Sequence, residues 1–147
     1  MTRLLETIQS PANPKVRSWV RLHVGRRRRE AGQFLIDGDY ELEQAVAGGV
    51  KIEEILFDEG IGDGLLDKWM ELGEVNDLPL RPVSPHVLQK ISVRDRPDGI
   101  IGLARSDSRK LILPAKCRGP ILVTNRLEKP GNLGALIRTA YAGGAEG

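Results

Sequence analysis

The sequence predicts an α/β fold: a small three-layer domain, a linker, and the first strand and helix of a second domain. Three observations carry this. Short apolar runs bounded by Gly, Pro and Asp alternate with amphipathic helical segments between residues 33 and 104, the pattern of strands sandwiched between helices. Residues 106–119 are polar, with Pro114 and Gly119, and read as an interdomain linker. Residues 120–124 (Pro-Ile-Leu-Val-Thr) then form an apolar run, after which Leu133, Leu136, Ile137 and Ala140 recur at i, i+3, i+4 and i+7, one core-facing helical stripe. The domains so read are 1–105, 106–119 and 120–147.

Taken in order, Asn13 and Pro14 mark a helix start, a capping side chain followed by a residue whose missing N–H is harmless at the first position. Val16, Trp19, Val20 and His23 then share one buried face. Lys15 and the row Arg17, Arg21 and Arg28 lie elsewhere, and Arg26, Arg27, Arg28 and Arg29 continue the same basic surface. Gln33–Asp37 reads as a strand and Asp39–Ala47 as a helix stopped by Gly48 and Gly49. Residues 52–57 form the next strand, with a helix around residues 65–72. Leu80–Val83 is a strand, residues 84–90 a short capped helix, and residues 99–104 a further strand after the turn at residues 94–99. Trp19 and Trp69 fall in apolar helical stripes and are expected in the core.

Composition narrows the class. A hydrophobic content of 40% with 29% charged residues is that of an ordinary globular chain. The single Cys117, expected to be solvated in the linker, forbids an intramolecular disulfide and fits a reducing compartment. With no run approaching the ~18 apolar residues of a membrane span and no signal-peptide core, a cytoplasmic location with no membrane partner is expected. His23 and His86 lack a second ligand type at metal spacing, so no metal site is expected. The acidic group Asp58, Glu59, Asp63 and Asp67 lacks calcium-loop spacing and reads as a solvated face.

The net charge of +2 conceals an uneven distribution. Residues 1–36 carry eight basic against two acidic groups, residues 37–90 four against thirteen, and residues 91–147 ten against five. Basic ends around an acidic middle point to a polyanion met at the ends. Lys15, Arg17, Arg21, Arg26, Arg27, Arg28 and Arg29 are the candidate phosphate contacts. Such contacts supply affinity and salt dependence without sequence choice. Aromatic residues total 4%, which argues against stacking platforms for single strands.

The closing segment carries the most specific signal. Asn132 is placed to cap the helix after a Pro-Gly turn. Gly134 inside its first turn costs about 1 kcal/mol against alanine, which suggests a close approach, and Arg138 one turn later lies over it. The string Lys129-Pro-Gly-Asn-Leu-Gly-Ala-Leu-Ile-Arg-Thr-Ala140 resembles the first signature motif of the SpoU (TrmH-type) RNA ribose methyltransferases of the SPOUT superfamily, Pro-Gly-Asn-x-Gly-x-x-x-Arg-Thr-Ala. Upstream, Ser10-Pro-Ala-Asn-Pro-Lys-Val-Arg17 and Gly32-Gln-Phe-Leu-Ile-Asp-Gly38 resemble the start of that family's substrate-binding domain. Asp37 stands where the family more often has glutamate, and Tyr141 where aspartate is common.

The resemblance implies a ribosomal-protein-like RNA-binding domain followed by a knotted α/β domain that binds S-adenosylmethionine. It implies methylation of a ribose 2′-hydroxyl in rRNA or tRNA by a homodimer, with Asn132 and Arg138 as active-site positions. The family's second and third motifs, which form the knot and the cofactor pocket, are not in these 147 residues. The chain therefore reads as an amino-terminal fragment, with an incomplete knotted domain, that binds RNA without turnover. A guanidinium keeps its proton at ordinary pH, so Arg138 is expected to bind phosphate and steady alkoxide charge. Two other readings remain open: a non-catalytic RNA-binding module of ribosomal-protein type, and a nucleotide-binding enzyme using the Gly-Asn-Leu-Gly turn, though the latter lacks Walker spacing.

Overall fold

The computed structural model describes residues 3–106, 118–124 and 130–146, in two compact units, residues 1–107 and 108–147. The first unit runs α1 (Pro14–Arg21), α2 (Gly25–Ala31), β1 (Gln33–Asp37), α3 (Asp39–Ala47), β2 (Ile52–Asp58), α4 (Asp63–Val75), β3 (Leu80–Val83), α5 (Pro85–Ile91) and β4 (Ile100–Arg105). Each strand expected in this unit is present to within one residue.

The strands form one mixed sheet in the order β1-β4-β2-β3. β4 lies antiparallel to both β1 and β2, and β2 lies parallel to β3. As an inner strand covered on both faces, β4 is buried from Ile100 to Ala104, which is why it reads as a continuous apolar run. Gly102 in β4 lies directly beneath Leu42 of α3, where a β-carbon would collide with Leu42 Cδ1. The amino-terminal segment extends the sheet beyond β3: Leu5 N–H donates to Leu80 O at 2.8 Å and Ile8 N–H to Pro82 O at 3.1 Å.

Two apolar layers cover the sheet. On one face Val16, Trp19 and Leu22 meet Val87, Leu88 and Ile91 over Leu56, Ile101 and Leu103. On the other, Leu42 and Trp69 pack over Ile55, Phe57, Ile100 and Ala104. The α1/α5 layer, the sheet and the α3/α4 layer are the expected three-layer arrangement. A register shift between Ile52 and Glu54 inserts one residue into β2 against β4. Without that bulge Ile52 and Ile55 would point to opposite faces; with it both enter the same core.

Several polar groups inside this unit are paired across its elements. Trp69 Nε1 donates to Asp39 Oδ1 at 2.7 Å. Lys68 Nζ bridges Asp39 at 3.0 Å and Glu43 at 2.8 Å, tying α4 to α3. Arg81, only 6% exposed, pairs with Glu54 and donates to Glu6 O at 2.5 Å, fastening the amino-terminal segment to the sheet edge. Ser84 caps α5, accepting from Val87 N–H at 3.4 Å, with Pro85 in its first turn.

One helix expectation is corrected. The first helix stops at Arg21, and Leu22 takes the buried position assigned to His23, which is itself exposed. The basic run starts a separate helix at Gly25, so Arg17, Arg21 and Arg28 do not form one continuous helical row.

In the second unit α6 spans Pro130–Ala142. It ends in a Schellman turn: Gly144, at φ +74°, donates to Tyr141 O at 3.1 Å and Ala145 to Ala140 O at 2.9 Å. Residues 118–124 run beside that end, with Glu146 N–H donating to Pro120 O at 3.0 Å. Three expectations differ here. Residues 120–124 enter no strand ladder among the described residues, because a strand's N–H and C=O groups need a neighbouring strand. Asn132 is the third helical residue and not the cap, since Pro130, needing no N–H partner, occupies the first position. The apolar stripe is only half covered, with Leu133 42% and Ile137 57% exposed. Cys117, Lys129 and most of the linker 106–119 lie outside the described residues. No helix among the described residues is long and apolar enough to cross a membrane.

Candidate nucleic-acid interface and motif helix

The basic residues near the amino terminus occupy two short helices. Asn13 Oδ1 accepts from Lys15 N–H at 2.9 Å and starts α1. Val16 and Trp19 then face the core, which leaves Lys15, Arg17 and Arg21 exposed on the outer side. α2 buries no residue. Its position is fixed by Arg28, whose Nη1 donates to Leu22 O and His23 O, both at 2.9 Å. Those carbonyls close α1, so Arg28 acts as its carboxyl-terminal cap, an engagement that charge counting does not reveal.

The other arginines of α2 differ from one another. Arg26 Nε donates to Glu30 Oε1 at 2.7 Å and Arg27 Nη1 to Glu30 Oε2 at 2.9 Å. The hydrogen bond from Arg26, reinforced by that from Arg27, holds the exposed Glu30 carboxyl below the ordinary carboxylate range. Lys15, Arg17, Arg21 and Arg29 have no ion pair with any described residue and are the more available cations of the seven.

Beside this surface the end of β1 carries an unusual carboxylate. Asp37 Oδ2 accepts from Ser92 Oγ at 2.6 Å and from Val93 N–H at 2.8 Å, pinning the turn after α5. Its Oδ1 is buried with no hydrogen-bond partner among the described residues. Asp37 lines a cavity of about 210 Å³ together with His23, Arg28 and the apolar Leu22, Phe34 and Ile91. His23 Nε2 lies 2.7 Å from Ile91 O; because a carbonyl only accepts, that nitrogen carries the proton. Gly38, which follows Asp37, has φ +123°, a conformation that residues with a β-carbon rarely adopt, and the side-chain ends of Arg94 and Glu41 lie over it. Arg94 in turn bridges Glu41 at 2.7 Å and Asp98 at 2.5 Å. The Asp-Gly pair thus joins the motif strand to the turn at residues 92–98.

In the second unit, Asn132 and Arg138 are both exposed on α6. Arg138 Nη1 lies 3.4 Å from the point where a β-carbon on Gly134 would sit. The glycine therefore leaves the guanidinium lying along the helix, as the spacing suggested. Leu122, Thr124, Ile137 and Tyr141 line an open apolar groove of about 310 Å³ between residues 122–124 and α6.

A family model described as the MRM3-like substrate binding domain matches residues 13–102. The chain belongs to this family. As a member of the MRM3-like substrate-binding family it resembles a tRNA/rRNA methyltransferase of Synechocystis sp., 33% identical over 155 residues that cover all of this chain and 53% of that protein. Among solved structures, an RNA 2′-O ribose methyltransferase superposes with a TM-score of 0.76 at 41% identity, over 95% of this chain and 53% of the other. An rRNA methyltransferase from Sinorhizobium meliloti, with S-adenosylmethionine bound, gives 0.77 at 26% identity over 98% and 53%. The family resemblance carried by the two motifs is borne out. The chain spans about half the length of the relatives it matches.

Proposed function

We propose that this chain is the RNA-holding portion, together with the first catalytic helix, of an S-adenosylmethionine-dependent ribose 2′-O-methyltransferase acting on rRNA or tRNA. In this reading residues 1–105 bind RNA, residues 106–119 link, and residues 120–147 open the catalytic domain. The observation that carries it is Arg138, exposed over Gly134 on a helix that follows a substrate-binding fold. Phosphates of the bound RNA meet Lys15, Arg17, Arg21 and Arg29, while Arg26 and Arg27 contribute once Glu30 is displaced or neutralised.

Methyl transfer from a sulfonium has a good leaving group, so the acceptor hydroxyl and its alignment set the difficulty. Arg138 suits that end: its guanidinium binds the phosphate beside the target ribose and stabilises the alkoxide as charge develops. Asn132, in the first turn of α6, lines the same helix end. Both residues are assigned here to the acceptor side of the reaction, and S-adenosylmethionine would supply the methyl group. The reading extends to a homodimer working in the cytoplasm. Its test uses the complete enzyme: Arg138→Ala abolishes methylation while RNA affinity stays within about twofold. Full turnover by that variant removes Arg138 from the reaction. This chain by itself is expected to bind RNA and to show no heat of S-adenosylmethionine binding in calorimetry.

A further inference from the structure

Resting on the RNA-interface reading of residues 1–105, we propose that the outer surface of the α1/α5 layer is a seat for double-helical RNA, with Lys90 of α5 as a further phosphate contact. The charge of this unit is divided by layer. α1, α5 and the adjoining α2 carry eight lysines and arginines against one carboxylate, Glu30. Across the sheet, α3 and α4 carry seven carboxylates against one cation, Lys68, which is itself held between Asp39 and Glu43. The two outer surfaces lie at least two helix diameters apart, about 20 Å, beyond the roughly 8 Å over which physiological salt screens a charge. Neither layer cancels the other, so a polyanion meets attraction on one side and repulsion on the other.

α5 enters through its own geometry. Val87, Leu88 and Ile91 are buried, which leaves His86, Gln89 and Lys90 exposed. Lys90 Nζ donates to Pro11 O at 3.2 Å, just before the start of α1, and an ammonium has two further protons to give. This sets a cation off the line of α1. Arg17 and Arg21 follow one another at about 6 Å along that helix, whereas α5, packed against α1, runs about 8–10 Å to its side. Cations spread in two directions match phosphates on two strands; one strand offers a single row.

The aromatic rings are elsewhere. Trp19, the one aromatic residue in α1, α2 and α5, is only 4% exposed, and the exposed Tyr40 stands on α3. Single-stranded RNA is held by stacking its bases on aromatic side chains, and this surface presents none. A duplex turns its bases inward and offers phosphates and 2′-hydroxyls, the groups that exposed lysine and arginine side chains bind.

The test is fluorescence anisotropy of the full 147-residue chain with an RNA duplex of about 16 base pairs and with one of its strands alone, chosen to be unstructured. The duplex is expected to bind about tenfold more tightly at moderate salt, the scale of two further phosphate contacts. Lys90→Gln is expected to make the salt slope for the duplex shallower by about one and to leave that for the single strand unchanged. Lys90→Arg keeps the charge and is expected to keep the slope. Glu71→Gln, on the opposite layer, is expected to change either affinity by less than about twofold, because salt screens it from the seat. The comparison of the two RNAs on the unaltered chain stands whatever the stability of the variants. Equal or tighter binding of the single strand overturns the duplex seat and leaves the RNA interface standing. A duplex preference whose slope survives Lys90→Gln reports charge density alone and overturns the seat as well, as does a large gain from Glu71→Gln, which would put RNA on the α3/α4 layer. Binding of neither RNA removes the interface itself, and the seat with it.

Discussion

The two units treat similar apolar patterns in opposite ways. In residues 3–106 each face of the sheet is covered by a pair of helices, and Ile55, Leu56, Ile100 and Ile101 are fully buried. In residues 118–146 a helix with an equally regular stripe leaves Leu133 and Ile137 half exposed, and Val123 and Tyr141 are each 85% exposed. Periodicity records what a face is suited to meet; whether the cover exists depends on how many layers accompany it. The first unit therefore has its own stability. The second leaves its apolar stripe half uncovered among the described residues.

The sharpest way to break this contrast is to cut into each region in turn. Trp69→Ala removes a side chain 1% exposed and its bond to Asp39, and is expected to cost about 3–5 kcal/mol in urea unfolding. Ile137→Ala on α6 is expected to change the same transition by less than about 0.5 kcal/mol. A large loss from the helix substitution would show that the second unit has a core after all.

Next in size is a division among the arginines. Arg28→Ala strips the donor from two carbonyls at the end of α1 and is expected to lower stability by about 1–2 kcal/mol. Arg21→Ala leaves stability unaltered and weakens RNA binding. Equal effects of the two on stability would reject the cap assigned to Arg28. Glu30→Gln frees Arg26 and Arg27 and is expected to tighten RNA binding a few-fold at low salt, an electrostatic effect that salt screens. Acid acts in the same direction. The Glu30 carboxyl is held low by Arg26 and Arg27, so its pairing is intact above the ordinary carboxylate range. It is lost as pH falls through the depressed value.

The smallest expected effect is alkaline. The hydrogen bond to Glu43 raises the Lys68 ammonium above its ordinary range against the opposing effect of partial burial, and Asp39 adds to the rise. That contribution is complete below the ordinary lysine range and disappears as pH climbs through the raised value. With both side chains of the Asp39 pair about a third exposed, it amounts to under about 1 kcal/mol. Lys68→Met should flatten the alkaline limb of the stability profile; an unchanged limb would discount the pair.

Much of the first unit was legible because its elements are locally bounded. β1 lies between Gly32 and Gly38, β3 follows Pro79, and Ser84 and Pro85 announce α5. What stayed hidden is long-range or leaves no periodic trace. The placement of β4 between β1 and β2 is a tertiary choice, as is the bulge at Glu53. The segment around Leu4 and Ile8 joins the sheet edge without alternating polarity. α2 has no buried residue, so its separation from α1 could not show as a pattern. Within the candidate site the basic residues were evident. The capping role of Arg28 and the spare oxygen of Asp37 were not, because both depend on carbonyl and turn positions fixed by the fold. At residues 120–124 an apolar run suggested a strand, but β structure needs a neighbour that no local run supplies.

The central claim, that the amino-terminal helices hold RNA through its phosphates, is most directly tested by salt dependence. The affinity of the 147-residue chain for single-stranded RNA would be measured from low to moderate salt, beside a Lys15→Gln, Arg17→Gln, Arg21→Gln variant. Loss of three phosphate contacts should make the slope of log affinity against log salt shallower by about two, with unfolding unchanged. The same slope in both proteins would contradict the account.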